Sequence, residues 1–327
     1  MLHAGNDNRW STLASAVKNQ NGPIPLNFAI PESFSGSSGN LSLVDPYTVV
    51  VAINPPLIIP DGCCADLITA SFPWSQPNIA AASDGIQSIA NGNDRVDISV
   101  GGGALASLVI ATGLYSYTDV AYAWNEYAIA NGIIPTNAAS QNLFIFTGIS
   151  ATQQLAITVD PAALGPLGTP FPVGGIQLDF TNPSNVTGTN DSIAQILGFP
   201  STGAGAVITF DVAGGQKTPV TIISPNPAGF SNTSAYNLFW SPVQMSYSNG
   251  IVGNLLYSFP LGGQNQTNSI INWQSSQRYP VQVTPNSVSS CKIWTSDQSG
   301  NKLPWKFYQA PFQFSVVISK NKLDGSI

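Results

Sequence analysis

The chain has 327 residues, 43% of them hydrophobic and only 8% charged, with ten Lys and Arg against sixteen Asp and Glu. Glu32 and Glu126 are the only glutamates, which excludes a helix-rich body, because solvated helices draw on Glu, Lys and Arg. A net charge of −6 without a basic block excludes nucleic acid as a main partner, and no apolar run approaches the ~20 residues that span a bilayer.

Residues 1–47 are rich in Asn, Ser and Gly through Phe34-Ser-Gly-Ser-Ser-Gly39. They read as an N-terminal arm that orders against a partner, burying residues such as Trp10, Leu26 and Phe28. Strand-like runs follow at 48–54, 67–72, 96–100, 105–111, 143–146, 155–159, 176–180, 207–212, 220–223, 255–259, 281–283, 291–294 and 312–318. Most are four to seven residues long and end at Gly, Pro, Asn or Asp, as antiparallel sandwich strands do. They predict an all-β antiparallel jelly-roll sandwich over 48–327, with insertions and one short helix. There are more runs than a minimal jelly roll needs, so an insertion or second β subdomain is expected around 200–248.

Ser116 and Asp119 stand at capping-box spacing, and Val120, Trp124, Tyr127 and Ala128 recur on one face up to Gly132. This predicts the helix, over 118–131, packing that face on a sheet with Asn125 and Glu126 pointing outward. The stretch Asp191 to Gly198 reads as a turn or two of helix capped by Asp191, with Phe199 buried and Pro200 as the stop.

Chemistry finds few footholds. His3 is the only histidine and sits in the arm, which speaks against histidine-dependent hydrolases and histidine-ligated metals. Asp160, Asp179 and Asp211 fall near strand ends where a glycosidase pair could form, but turn capping is the commoner role. Gly101-Gly-Gly103 is followed by a strand pattern, not the helix start that a phosphate loop needs, and reads as a flexible hairpin or bulge. Asn91-Gly-Asn-Asp94 with Asp97 lacks the spacing of a calcium loop and reads as a turn, with Arg95 and Asp97 facing solvent. Cys63, Cys64 and Cys291 form neither a disulfide framework nor a zinc spacing and read as reduced core thiols. Sequons at Asn40, Asn185, Asn190, Asn232 and Asn265 are expected to stay unglycosylated, because neither terminus reads as a signal peptide and the chain is expected to be soluble and made in the cytoplasm. Trp240, Trp273, Trp294 and Trp305 could stack sugars, though packing is the commoner use. No catalytic, cofactor-binding or metal-ligating residue is assigned.

Several segments recur in an order that resembles a known family. They are Leu67-Ile-Thr-Ala-Ser-Phe-Pro-Trp-Ser-Gln-Pro-Asn-Ile79, Thr112-Gly-Leu-Tyr-Ser-Tyr-Thr-Asp119 opening the helix, and Ser192-Ile-Ala-Gln-Ile-Leu-Gly-Phe199. Asn254-Leu-Leu-Tyr-Ser-Phe259, Tyr279-Pro-Val-Gln-Val283 and Asp297-Gln-Ser-Gly-Asn301 continue the series. Together these resemble the penton and minor capsid proteins of virophages, polinton-type elements and related double-stranded DNA viruses of the adenovirus-like lineage. Ile196 departs from the leucine commoner there. The resemblance implies a non-enzymatic virion protein, a jelly roll forming a homopentamer at the vertex beside the major capsid protein. Two alternatives remain: a carbohydrate-binding spike recognising a host glycan, and the major capsid protein itself.

Overall fold

The structure, a computed structural model, describes residues 23–73, 76–89, 92–132, 142–164, 174–181, 193–211, 218–230, 235–248, 251–261, 270–277 and 279–320. The chain opens with β1 (Ile24–Ile30), the short pair β2 (Ser37–Ser38) and β3 (Leu41–Asp45), then the long β4 (Thr48–Ile59) and β5 (Cys63–Pro73). A second series follows: β6 (Arg95–Val100), β7 (Ala106–Val109), helix α1 (Tyr117–Ala130), β8 (Phe144–Ile149), β9 (Gln154–Val159), β10 (Ile176–Asp179), the single turn α2 (Ala194–Leu197), β11 (Val207–Phe210) and β12 (Val220–Ile223). The chain then returns through β13 (Ala235–Trp240), β14 (Ser246–Ser248), β15 (Ile251–Gly253), β16 (Leu255–Pro260), β17 (Ile270–Gln274), β18 (Val281–Gln282), β19 (Asn286–Ser296) and β20 (Phe312–Lys320).

Two compact units result: Met1–Gln76 with Thr233–Ile327, and Pro77–Asn232 between them. In the first unit one sheet runs β1-β20-β5-β17 and the other β16-β13-β19-β4, extended by β3 and β2. Counting in chain order the eight strands of β1-β20-β5-β17 and β16-β13-β19-β4, without the β2 and β3 extension, these are 1-8-3-6 and 5-4-7-2, the strand order of a jelly roll. β1 alternates strictly, turning Ile24, Leu26, Phe28 and Ile30 into the sandwich. Aromatic rings bridge the two sheets: Phe72 of β5 meets Tyr236 of β13 at 5.3 Å and Phe259 of β16 at 4.9 Å. Burial of each such ring contributes ~1.5–3 kcal/mol.

Two expectations change here. The segment expected to wait for a partner contributes β1 and β3, and Leu26 and Phe28 are buried in the chain's own core at 4% and 6% exposure. The alternation that makes β1 a strand is hidden in sequence by the polar residues around it. Residues 1–22, with His3 and Trp10, lie outside the described residues. The chain leaves the jelly roll after β5, so the inserted unit is far longer than the 200–248 window and encloses both helices.

The second unit packs the antiparallel sheets β11-β10-β6-β7 and β12-β9-β8 around one core. α1 lays Val120, Trp124 and Ala128 into it, and the Trp124 ring stands edge-on to Phe144 and Phe146 at 5.3 and 5.0 Å. The expected capping box forms: the Asp119 N–H donates to Ser116 Oγ, and the Ser116 N–H donates to Asp119 Oδ2 at 2.8 Å. Gly132 takes the left-handed conformation just past the helix, at φ +69°. Asn125 does not point outward. It is buried and bonds both main-chain groups of Phe144, because the sheet offers an otherwise unpaired peptide at that point. Asp97 is likewise buried, at 1% exposure, accepting from Ser107 Oγ at 2.5 Å, while Arg95 is half-buried beside Asp94 at 3.1 Å. α2 ends at Gly198 with φ +79°, and Phe199 stacks on Phe180 at 5.2 Å. Its expected cap, Asp191, lies outside the described residues.

Candidate assembly surface

From 218 through 277 the sequence contains no Asp, Glu, Lys, Arg or His. In the jelly-roll unit this stretch supplies β13 through β17. β16 and β17 are each the last strand of their sheet, and they lie on the same side, with Tyr257 and Trp273 rings 4.4 Å apart. An open sheet edge presents unpaired peptide groups, and proteins that remain alone blunt such edges with charge, above all lysine. Here β16 and β17 carry no charged side chain, and exposed apolar residues stand at Ile270, 56%, and at Tyr279, 57%, next to Arg278 in sequence. Beside it β14 and β15 form a two-stranded sheet of their own, flanked by Met245 at 70% and including Val252 at 60% exposure.

Two rows on the outward face of β1-β20-β5-β17 are neutral as well, while the row beyond them, Pro25–Val317–Asp66, holds the buried Asp66. Register places Asn27, Ser315, Thr69 and Gln274 in one row across the four strands, and Ala29, Gln313, Ser71 and Asn272 in the next. Ser315 Oγ donates to Asn27 Oδ1 at 2.7 Å, and Ser71 Oγ to Asn272 Oδ1 at 2.8 Å. Both rows line a groove of 820 Å3, closed at one side by Asn40 and Leu41. The groove therefore offers amides and hydroxyls beside the apolar Phe28, Ile30, Val51, Trp273 and Phe314, with no charged side chain, and suits neutral partners whose affinity salt does not weaken.

No family model matches the chain, and no curated protein matches it. Among solved structures, the chain is similar to the mavirus penton protein at 14% identity and TM-score 0.44, covering 92% of this chain and 100% of that one. It is similar also to a chain of the Sputnik virophage solved by cryo-electron microscopy, at 13% identity and TM-score 0.41, covering 92% and 98%. The jelly-roll assignment rests on the strand order of the first unit.

The residues considered for chemistry are dispersed into structural duties. Asp160 accepts from the Ala162 N–H at 2.9 Å and Asp179 from the Thr181 N–H at 2.8 Å, both as turn caps. Asp179 does stand opposite Asp97 in the β6–β10 register, but each carboxylate is turned to a local hydroxyl. Asp211 lies exposed after β11, and Glu126 is exposed on α1. Among the described residues no three or more His, Cys, Asp or Glu gather as a metal site. Gly101 and Gly102, at φ +64° and +68°, turn the β6–β7 hairpin as expected. Asn93 does more than turn: it accepts from the Ala80 N–H and donates to Asn78 O, pinning the chain at the unit's entry. Asn91 lies outside the described residues. Cys63, Cys64 and Cys291 are buried free thiols; burial pushes the first two up and Cys291 to about 12.

Of the tryptophans weighed for sugar stacking, Trp240 and Trp305 are fully buried. Trp294 stacks face to face on Phe239 at 5.1 Å, and Trp273 packs on Tyr257. Sequence reasoning missed both the neutral edge and the amide rows. The charge-free stretch is visible in the sequence, whereas the rows depend on pairing between distant strands.

Proposed function

We propose that this protein is a structural subunit of a virus shell, the penton or another minor capsid protein, that acts by burial and shape and catalyses nothing. The observation that carries the reading is the neutral, open β16/β17 edge with its exposed Ile270 and Tyr279. In a solitary protein such an edge invites aggregation; in a shell subunit it is where a neighbour sits. Jelly-roll order and the ordered segments that resemble virophage and polinton pentons agree with this. Five copies would surround each vertex, in contact with the major capsid protein, in particles built in the host cytoplasm. The nested arrangement of the two units, rather than two jelly rolls in succession, favours the vertex role over that of the major capsid protein.

Density-gradient fractionation of particles tests the reading. The chain is expected to sediment with the particles and to stay with them at roughly 1 M salt, because screening removes only charge-based contacts. Recovery of the chain solely as free protein at the top of the gradient would overturn it.

A further inference from the structure

We infer that the groove across the β1-β20-β5-β17 face receives the β14–β15 hairpin of a second copy of this chain, so that copies join head to tail. The inference rests on the assembly reading and names the two surfaces that meet. An Asn or Gln side chain carries an acceptor oxygen and two donor hydrogens, the complement of a peptide group. Asn27 and Asn272 each accept a serine hydroxyl, which fixes their amides and leaves the NH2 groups as donors at the groove. Gln274 ends the same row as Asn27, and Gln313 shares a row with Asn272, so amides recur across the width of the sheet. Phe28, Ile30, Val51, Trp273 and Phe314 line the same groove, so it suits an extended, uncharged segment that carries apolar side chains. A charged ligand would lose its hydration there with nothing to pair it.

The hairpin is the matching piece. Among the described residues β14 and β15 pair only with each other, so neither has a third strand beside it. A two-stranded hairpin is marginal by itself in water, and this one has Met245 and Val252 standing in solvent. Its root is held to its own sandwich by the Gln244 N–H to Gln282 O bond at 2.9 Å and the Trp240 N–H to Asn254 O bond at 3.0 Å. A groove of 820 Å3 is in the class, about 300–1,000 Å3, that encloses one small ligand, and so admits a strand of a hairpin rather than a whole sheet. Groove and hairpin are different surfaces of one chain. Their contact is therefore heterologous, and it closes into a ring when the rotation between copies permits.

Mixed-variant cross-linking tests this. Val252→Cys protein and Gln313→Cys protein are mixed and treated with a short bismaleimide; the native Cys63, Cys64 and Cys291 are 5%, 3% and 1% exposed and stay silent. The mixture is expected to form cross-linked dimer roughly a hundredfold faster than either variant alone, since docked thiols see a millimolar effective concentration. No cross-link in the mixture, or equal yields from the single variants, overturns the inference. A Met245→Glu/Val252→Lys chain is expected to be lost from particles. Its full incorporation would overturn the hairpin contact while leaving the shell reading intact, whereas absence of the wild-type chain from particles would overturn the shell reading.

Discussion

Asn125 ties α1 to β8 through its amide. Nδ2 donates to Phe144 O at 2.8 Å and Ala121 O at 2.9 Å, and the Phe144 N–H donates to Oδ1 at 2.9 Å. Asn125→Leu keeps the volume but strips both main-chain groups of Phe144, itself 1% exposed, of their side-chain partner. Each buried group left unpaired costs ~1–3 kcal/mol, so the loss is ~2–6 kcal/mol, read in urea as a lower midpoint at unchanged slope. Asn125→Asp separates hydrogen bonding from packing. Its carboxylate still accepts from Phe144 but sets oxygen against oxygen at the carbonyl, and burial raises its pKa above the usual value of about 3.9. For a raised acid the stability due to the bound proton is fully present below the unfolded pKa and is lost as pH rises through the folded one. Asn125→Asp therefore recovers stability relative to the wild type as pH falls from about 7 to about 4, whereas Asn125→Leu does not. A loss below about 1 kcal/mol for leucine, or an aspartate variant indifferent to pH, would refute the reasoning.

Two glycines with the same backbone sign separate strain from crowding. An added Cβ at Gly198 would lie 2.3 Å from Asn226 O and 2.8 Å from Ser224 Oγ, whereas at Gly102 it would meet nothing within 4 Å. Both pay the left-handed penalty of ~1–2 kcal/mol, so Gly198→Ala lowers Tm well beyond Gly102→Ala in calorimetry; equal shifts would contradict the packing around α2. Iodoacetamide at neutral pH is expected to leave all three thiols unmodified until denaturant is added, Cys291 most of all with its pKa near 12; mass spectrometry showing a labelled native chain would count against their burial. Ile270→Lys charges the open β17 edge at a 56% exposed site, so stability stays within ~0.5 kcal/mol while incorporation into particles drops. Unchanged incorporation would remove that edge from the assembly contact.

Local patterns in the sequence carried a good part of this fold. Ser116 and Asp119 at capping spacing, the glycines 132 and 198 after apolar faces, and the β-branched run 48–54 each express an interaction that closes within a few residues, and each appears in the structure. β13 and β17 escaped notice because Asn237 and Asn272 interrupt their apolar runs; Asn237 is buried and bonded to Asp297 O at 2.8 Å, a partner 60 residues away. The polar residues read as solvent-facing, Asn125 and Asp97, were misplaced for the same reason: what satisfies them lies on another strand. Jelly-roll order depends on pairings such as Asn27 with Ser315, separated by 288 residues, which no local window contains. The amide rows of the candidate surface share that origin. The missing charge of 218–277 was legible, but its meaning came only once β16 and β17 proved to be sheet ends.

Cryo-electron microscopy of intact particles tests the central claim most directly. The account predicts density at the fivefold vertices into which five copies of the β1-β20-β5-β17 and β16-β13-β19-β4 sandwich fit, with each neutral β16/β17 edge covered by protein. Vertices occupied by another fold, or this sandwich found with that edge facing solvent, would contradict it.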